Sequence, residues 1–362
     1  MKTFAWLGIT MVAAAGCGGA KSMKSVAASP SSGMAAPSVA AADSAGAPAP
    51  GATVATDGTS PARPMPIAAA ELTAGIWDDN LNYSFFEPYA AKMAAQSQDL
   101  AAFARGEQAA AHQQLGQRGQ KTELDIQLIV DTTGSMGDEM QYLKSELGTI
   151  AQQIKQRFPT VTPRWSLVAY KDRGDEYVTR KFEFTPDLAR FQRDLAAQSA
   201  GGGGDFPEAV VPAFESGLAQ HWRADASVAR VVLWVADAPP HPGEGAQFAR
   251  LVRKARDLDV HVYPIASSGI DDGTEYQMRA AAQLTGGRYI FLTNDSGVGN
   301  DHAEPHIPCY SVTYLKDAII RVIGSELSGR RLTVDPERVV RQVGAPTADG
   351  TCTVREQQVV AF

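Results

Sequence analysis

From Leu124 to Leu327 short apolar runs alternate with longer stretches whose apolar residues recur at helical spacing. That alternation demands a mostly parallel sheet, because a parallel return needs a crossover long enough to hold a helix. Strands are expected at Asp125 to Val130, Trp165 to Tyr170, Tyr177 to Phe184, Val228 to Ala236, Val260 to Ala266 and Arg288 to Leu292. Helices are expected at Met136 to Phe158, where Met140, Leu143, Leu147, Ile150 and Ile154 share a face, and near Asp187–Gln198, Pro207–His221, Glu244–Leu258, Thr274–Leu284 and Val312–Leu327. The turn Asp172 to Tyr177 is too short for a crossover, so the strand after it should pair antiparallel at the edge. The expected class is therefore α/β: a doubly wound, mostly parallel six-stranded sheet with one antiparallel edge strand.

The remaining sequence sets the surroundings of this domain. With 362 residues and 44% hydrophobic residues the chain can bury a real core, and a net charge of -7 without a basic run argues against a nucleic-acid partner. Lys2 followed by the uncharged apolar stretch Phe4 to Ala15 reads as a secretion signal, too short to span a bilayer. Cys17 follows Ala14, Ala15 and Gly16, and the pattern resembles a bacterial lipoprotein signal, although Ala14 stands where Leu is usual. That resemblance implies cleavage before Cys17, lipidation of Cys17, and a cell-envelope protein held to the membrane by its lipid alone. Gly18 in place of Asp favours the outer membrane. The alternative is a simple cleaved signal with a chance cysteine. Setting Cys17 aside leaves Cys309 and Cys352, an even pair in an oxidising compartment, which are expected to form a disulfide.

Residues 18–70 are Ala, Ser, Pro and Gly with almost no bulky apolar side chain, so they read as a disordered tether. About 50 such residues give a reach on the order of 40 Å. Residues 71–123 differ. Ile76, Trp77, Leu81, Tyr83, Phe85 and Phe86 surround the polar run Asp78-Asp79-Asn80 ahead of a helical stretch. Such aromatics need a surface to pack on, and the alternative is a small ligand-binding element built on Asp78, Asp79 and Asn80. Beyond Leu327, Leu332-Thr333-Val334 and Cys352-Thr353-Val354 alternate like the strands of an appended hairpin over 328–362.

In an open parallel sheet ligands bind beyond the carboxyl ends of the strands. Three segments place polar residues there: Asp131-Thr132-Thr133-Gly134-Ser135, Gly201 to Asp205, and Asp237 to His241. Asp131, Asp205 and Asp237 offer carboxylates, and Thr133 and Ser135 offer hydroxyls. An all-oxygen set suits Mg²⁺, Mn²⁺ or Ca²⁺ rather than Zn²⁺. Asp131-x-Thr133-x-Ser135 resembles the metal-ion-dependent adhesion site of von Willebrand factor type A domains over about Leu124 to Leu327. The resemblance implies that family's doubly wound, Rossmann-like fold, a divalent cation (Mg²⁺ first, Mn²⁺ or Ca²⁺ otherwise) and a protein ligand. Thr133 keeps the hydroxyl of the family's Ser, while Asp205 replaces a Thr and adds a charge, in a Gly202 to Glu208 run similar to that of a bacterial subgroup.

Three ionised carboxylates around a divalent ion sum to about -1, which weakens the family's usual attraction for an acidic ligand residue. Ligand choice then falls to rim residues such as Asp175, Phe206 and His241. Phosphatase Asp-x-Asp and nucleophile-elbow Gly-x-Ser-x-Gly motifs both fail at Thr133, so no catalytic residue is assigned. His302 and His306, in an acidic Pro-containing loop, read as exposed loop residues, the alternative being metal binding. The expected protein is a lipid-anchored adhesion or interaction module and not an enzyme. The alternatives are a metal-dependent hydrolase with His241 as base, and a scaffold with a purely structural ion.

Overall fold

The computed structural model describes residues 71–114, 119–204, 206–347 and 349–361. The signal, Cys17, the tether and Asp205 lie outside the described residues. In chain order the elements are β1 (Thr73–Trp77), α1 (Tyr83–Ala94), α2 (Gln98–Ala101), α3 (Arg105–Gln114), β2 (Glu123–Asp131), α4 (Gly137–Arg157), β3 (Thr162–Tyr170), β4 (Thr179–Thr185), α5 (Leu188–Ala196) and α6 (Val210–Leu218). They continue as β5 (Val228–Ala236), α7 (Gly245–Asp257), β6 (Val260–Ala266), α8 (Asp272–Thr285), β7 (Tyr289–Thr293), β8 (Tyr310–Tyr314), α9 (Leu315–Ser328), β9 (Val339–Val343), β10 (Thr351–Val354) and β11 (Gln357–Val360). Among the described residues no helix is long and apolar enough to cross a membrane.

The main sheet runs β4-β3-β2-β5-β6-β7-β1-β8-β9. Strands β3, β2, β5, β6 and β7 are parallel neighbours, and β4 is antiparallel at one edge. Their side chains alternate between two cores, Trp234 and Phe291 on one face and Val235 and Ile290 on the other. Helices α6, α7 and α8 pack with α1 to α3 on the first face, and α4, α5 and α9 on the second, which is the doubly wound arrangement.

The sheet has nine strands where six were expected. Strand β1, from the aromatic segment, lies antiparallel between β7 and β8, with Thr73 opposite both Thr293 and Tyr314. Gly75 makes that fit possible: a Cβ there would stand 2.2 Å from Cζ of Phe291, whose ring crosses the strand. The first turn of the expected last helix is instead β8, because buried Ser311 and Val312 stand in register with β1 and β9. Leu332 to Val334 form no strand, and β9 follows them at the sheet edge.

The run after β1 is structural. Arg279 donates from Nη2 to Asp79 Oδ1 at 2.6 Å and from Nε to Asp79 Oδ2 at 2.9 Å, and Trp77 Nε1 donates to Asp79 Oδ1 at 2.9 Å. Asp78 pairs with Arg288 at 2.9 Å, while Asn80 Nδ2 donates to the Gln283 carbonyl and Gln283 Nε2 donates to Asn80 Oδ1, both at 2.9 Å. These contacts favour packing over ligand binding for this segment. Asn82 joins the tail through two 2.9 Å bonds with the backbone of Val360, in the hairpin β10–β11. A disulfide between Cys309 and Cys352, with Cα atoms 6.4 Å apart, ties that hairpin to the residue before β8.

Candidate functional site

Because β2 and β5 are parallel, Asp131 ends one and Asp237 follows the other on the same edge of the sheet. Asp131 is fully buried; its Oδ1 accepts from Thr133 N at 2.9 Å and Thr133 Oγ1 at 2.7 Å. Thr133 Oγ1 in turn lies 3.3 Å from Oγ of the exposed Ser135. The alternate hydroxyls of this loop therefore do turn together.

The glycine run is laced onto the first loop. Gly201 N donates to Thr132 O at 3.1 Å, and Gly134 N to Gly202 O at 3.1 Å. Gly202 has φ +81, and a Cβ there would fall 2.4 Å from Oδ1 of Asp175, so only glycine suits the position. Asp175 braces the loop, its Oδ2 accepting from Gly203 N at 2.8 Å and Asp172 N at 3.1 Å. His241 Nε2 lies 2.5 Å from Asp172 Oδ1. Phe206 is exposed at the mouth of a cleft of about 530 Å³ lined also by Ser135, Glu208, Asp237, Ser268 and Asp301.

Four residues at this edge escape recognition from sequence. Lys171, just past β3, is buried and donates to Thr132 O at 2.7 Å and also to Gly201 O, so one ammonium holds two loops. Glu208 is 3% exposed, and its N donates to Pro239 O at 2.9 Å, joining the glycine run to the Asp237 loop. Glu139, on the first turn of α4, accepts from Ser268 N at 3.3 Å. His302 is buried with Nε2 3.7 Å from Glu139, which corrects its reading as an exposed loop residue; His306 is exposed. The signal for Glu208 was its place three residues after Asp205, and for Glu139 its helical spacing from Ser135.

The electrostatics of the cluster are unsatisfied. Among the described residues, the buried oxygens Asp131 Oδ2, Glu139 Oε2, Glu208 Oε2 and Asp237 Oδ1 find no hydrogen-bond partner. Burial, then the charge of Asp237, pushes the Asp131 carboxyl up to about 7 against the hydrogen bonds from Thr133. Burial also raises Asp237, opposed by the Ser135 hydroxyl and aided by Glu139. Glu208 is pushed to about 9 by burial and by Asp131, Asp172, Asp237 and Asp175. Buried carboxylate oxygens with no donor and like charges beside them are chemically suited to a hard cation. Among the described residues no group of three or more His, Cys, Asp or Glu side chains is placed to hold a metal ion by itself. A cation here would be held by Asp131 and Asp237 with the hydroxyls of Thr133 and Ser135; Asp205 lies outside the described residues.

Residues 125–294 match the family model described as von Willebrand factor A domain. This stretch of the chain is a von Willebrand factor A domain. The match covers β2 to β7, so β1, β8 and β9 extend the domain's sheet from sequence outside the matched stretch. A putative ariadne-like RING finger protein of Acanthamoeba polyphaga mimivirus is 30% identical over 193 residues, 47% of this chain and 18% of that protein. An alpha-protein kinase of Dictyostelium discoideum is 31% identical over 123 residues, 33% of this chain and 19% of the kinase. The alignments thus span less than a fifth of either relative. Among solved structures, the conserved hypothetical protein BatB from Bacteroides thetaiotaomicron aligns at TM-score 0.36 and 14% identity, over 56% of this chain and 98% of its own.

Proposed function

We propose that this chain is a cell-envelope lipoprotein whose von Willebrand factor A domain binds a divalent cation and, through the surface around it, a protein partner. The domain commonly mediates protein–protein interaction, and the amino-terminal signal with Cys17 supports the envelope and the lipid anchor. The observation that carries the cation is the pair of buried, donor-free oxygens Asp131 Oδ2 and Asp237 Oδ1 on one sheet edge beside two hydroxyls. The ion, Mg²⁺ first and Mn²⁺ or Ca²⁺ otherwise, would supply the positive charge that these oxygens lack and would order the three loops. No catalytic residue is assigned. A hydrolase is the second reading, favoured by the imidazole of His241, four residues after Asp237 and held by Asp172.

Thermal unfolding of the full chain with EDTA or millimolar Mg²⁺, Mn²⁺ or Ca²⁺ tests the proposal. A site filled to about a hundred times its Kd adds about 2.7 kcal/mol to folding, and Asp131→Ala should abolish the gain. An unchanged midpoint in every ion would refute cation binding. Loss of turnover in His241→Ala with the ion's stabilisation intact would select the hydrolase.

A further inference from the structure

Building on that cation reading, we infer that the cleft beside the site receives a basic side chain, Lys or Arg, of a peptide partner, and not an acidic one. Asp131, Glu139, Asp237 and Glu208 bring four carboxyl groups to one edge. A divalent ion offsets at most two of them. An acidic ligand residue would add to the surplus, whereas an ammonium or guanidinium would offset it.

The local cations are already engaged. Lys171 is bonded to the carbonyls of Thr132 and Gly201, Arg173 to Glu244, and His241 to Asp172. Among the described residues, those lining the cleft include Glu208, Asp237 and Asp301 and no Lys, Arg or His. Glu208 is the independent pointer: it is 3% exposed, lines the cleft, and its Oε2 has no donor. At about 530 Å³ the cleft has room for one long side chain, and exposed Phe206 at its mouth offers an apolar surface to the stem of Lys or Arg.

A displayed library of random dodecapeptides, panned on the purified full chain in Mg²⁺ and eluted with EDTA, tests the inference. Eluted peptides enriched in Lys or Arg support it, provided Glu208→Gln weakens the best of them by about tenfold or more. The exposed Asp301→Asn, which leaves the buried cluster intact, should weaken the same peptide in the same direction. Enrichment in Asp or Glu, no charge bias, or no EDTA-eluted peptide while Mg²⁺ still raises the unfolding midpoint would overturn the basic partner and leave cation binding standing. No rise in midpoint with any ion would remove the cation reading and this inference with it.

Discussion

Replacing Arg279 by Met should remove much of the stability of the whole sheet, although Arg279 is remote in the chain from Asp131 and Asp237. Its guanidinium is 4% exposed and pairs with Asp79, 2% exposed, and with Glu275 at 2.8 Å. Met fills similar volume but leaves Asp79 buried with only Trp77 Nε1 as a donor. Removing one partner of a buried ion pair costs about 3–5 kcal/mol, a large fraction of a typical domain's 5–15 kcal/mol. Burial already raises the Asp79 carboxyl even with Arg279 opposing it. Without Arg279 it should rise further, so a proton can relieve the stranded charge. The folded variant then binds a proton more tightly than the unfolded chain, and its deficit should shrink as pH falls. Urea unfolding at pH 7.5 and pH 5, followed by tryptophan fluorescence, measures both effects. The variant Asp79→Leu/Arg279→Met, which removes the buried charge pair, should recover most of the loss. A deficit below about 1 kcal/mol, or one equal at both pH values, would refute the claim that residues 71–82 are an integral part of the sheet's packing.

Two further outcomes follow from other contacts. Cys309→Ala/Cys352→Ala should lower stability by about 4 kcal/mol, the loop-entropy estimate for a bond between residues this far apart, and urea unfolding of the oxidised protein against the variant checks it. Glu146 is buried, accepts from Leu72 N, and is pushed up to about 7 by burial. Its folded pKa lies above the unfolded one, so it favours folding below about pH 4.3, with that contribution lost as pH rises towards 7. Glu146→Gln, which keeps an acceptor, should therefore stabilise the protein by about 1–3 kcal/mol at pH 7.5 and flatten the decline in stability between pH 5 and pH 7. Unfolding midpoints across that range decide it.

Periodicity alone was enough for the parallel core. Its strands alternate so cleanly with amphipathic helices, and the Asp172 to Tyr177 link is so short, that β2 to β7 and the antiparallel β4 were legible, although several strand ends lie one to three residues from where they were expected. The shared orientation of the Thr133 and Ser135 hydroxyls beside Asp131 was legible because hydroxyls two residues apart at a strand end turn to one side. The place of β1 was not legible, since its neighbours Phe291 and Val312 are more than 200 residues away and only tertiary packing reveals that Gly75 leaves room for a ring. Tertiary structure also decided the roles of Lys171, Glu139 and Glu208. A lysine or glutamate in sequence reads as solvated surface, and these become site residues only because strand order and loop crossings bury them beside other groups whose charge or carbonyls they must answer.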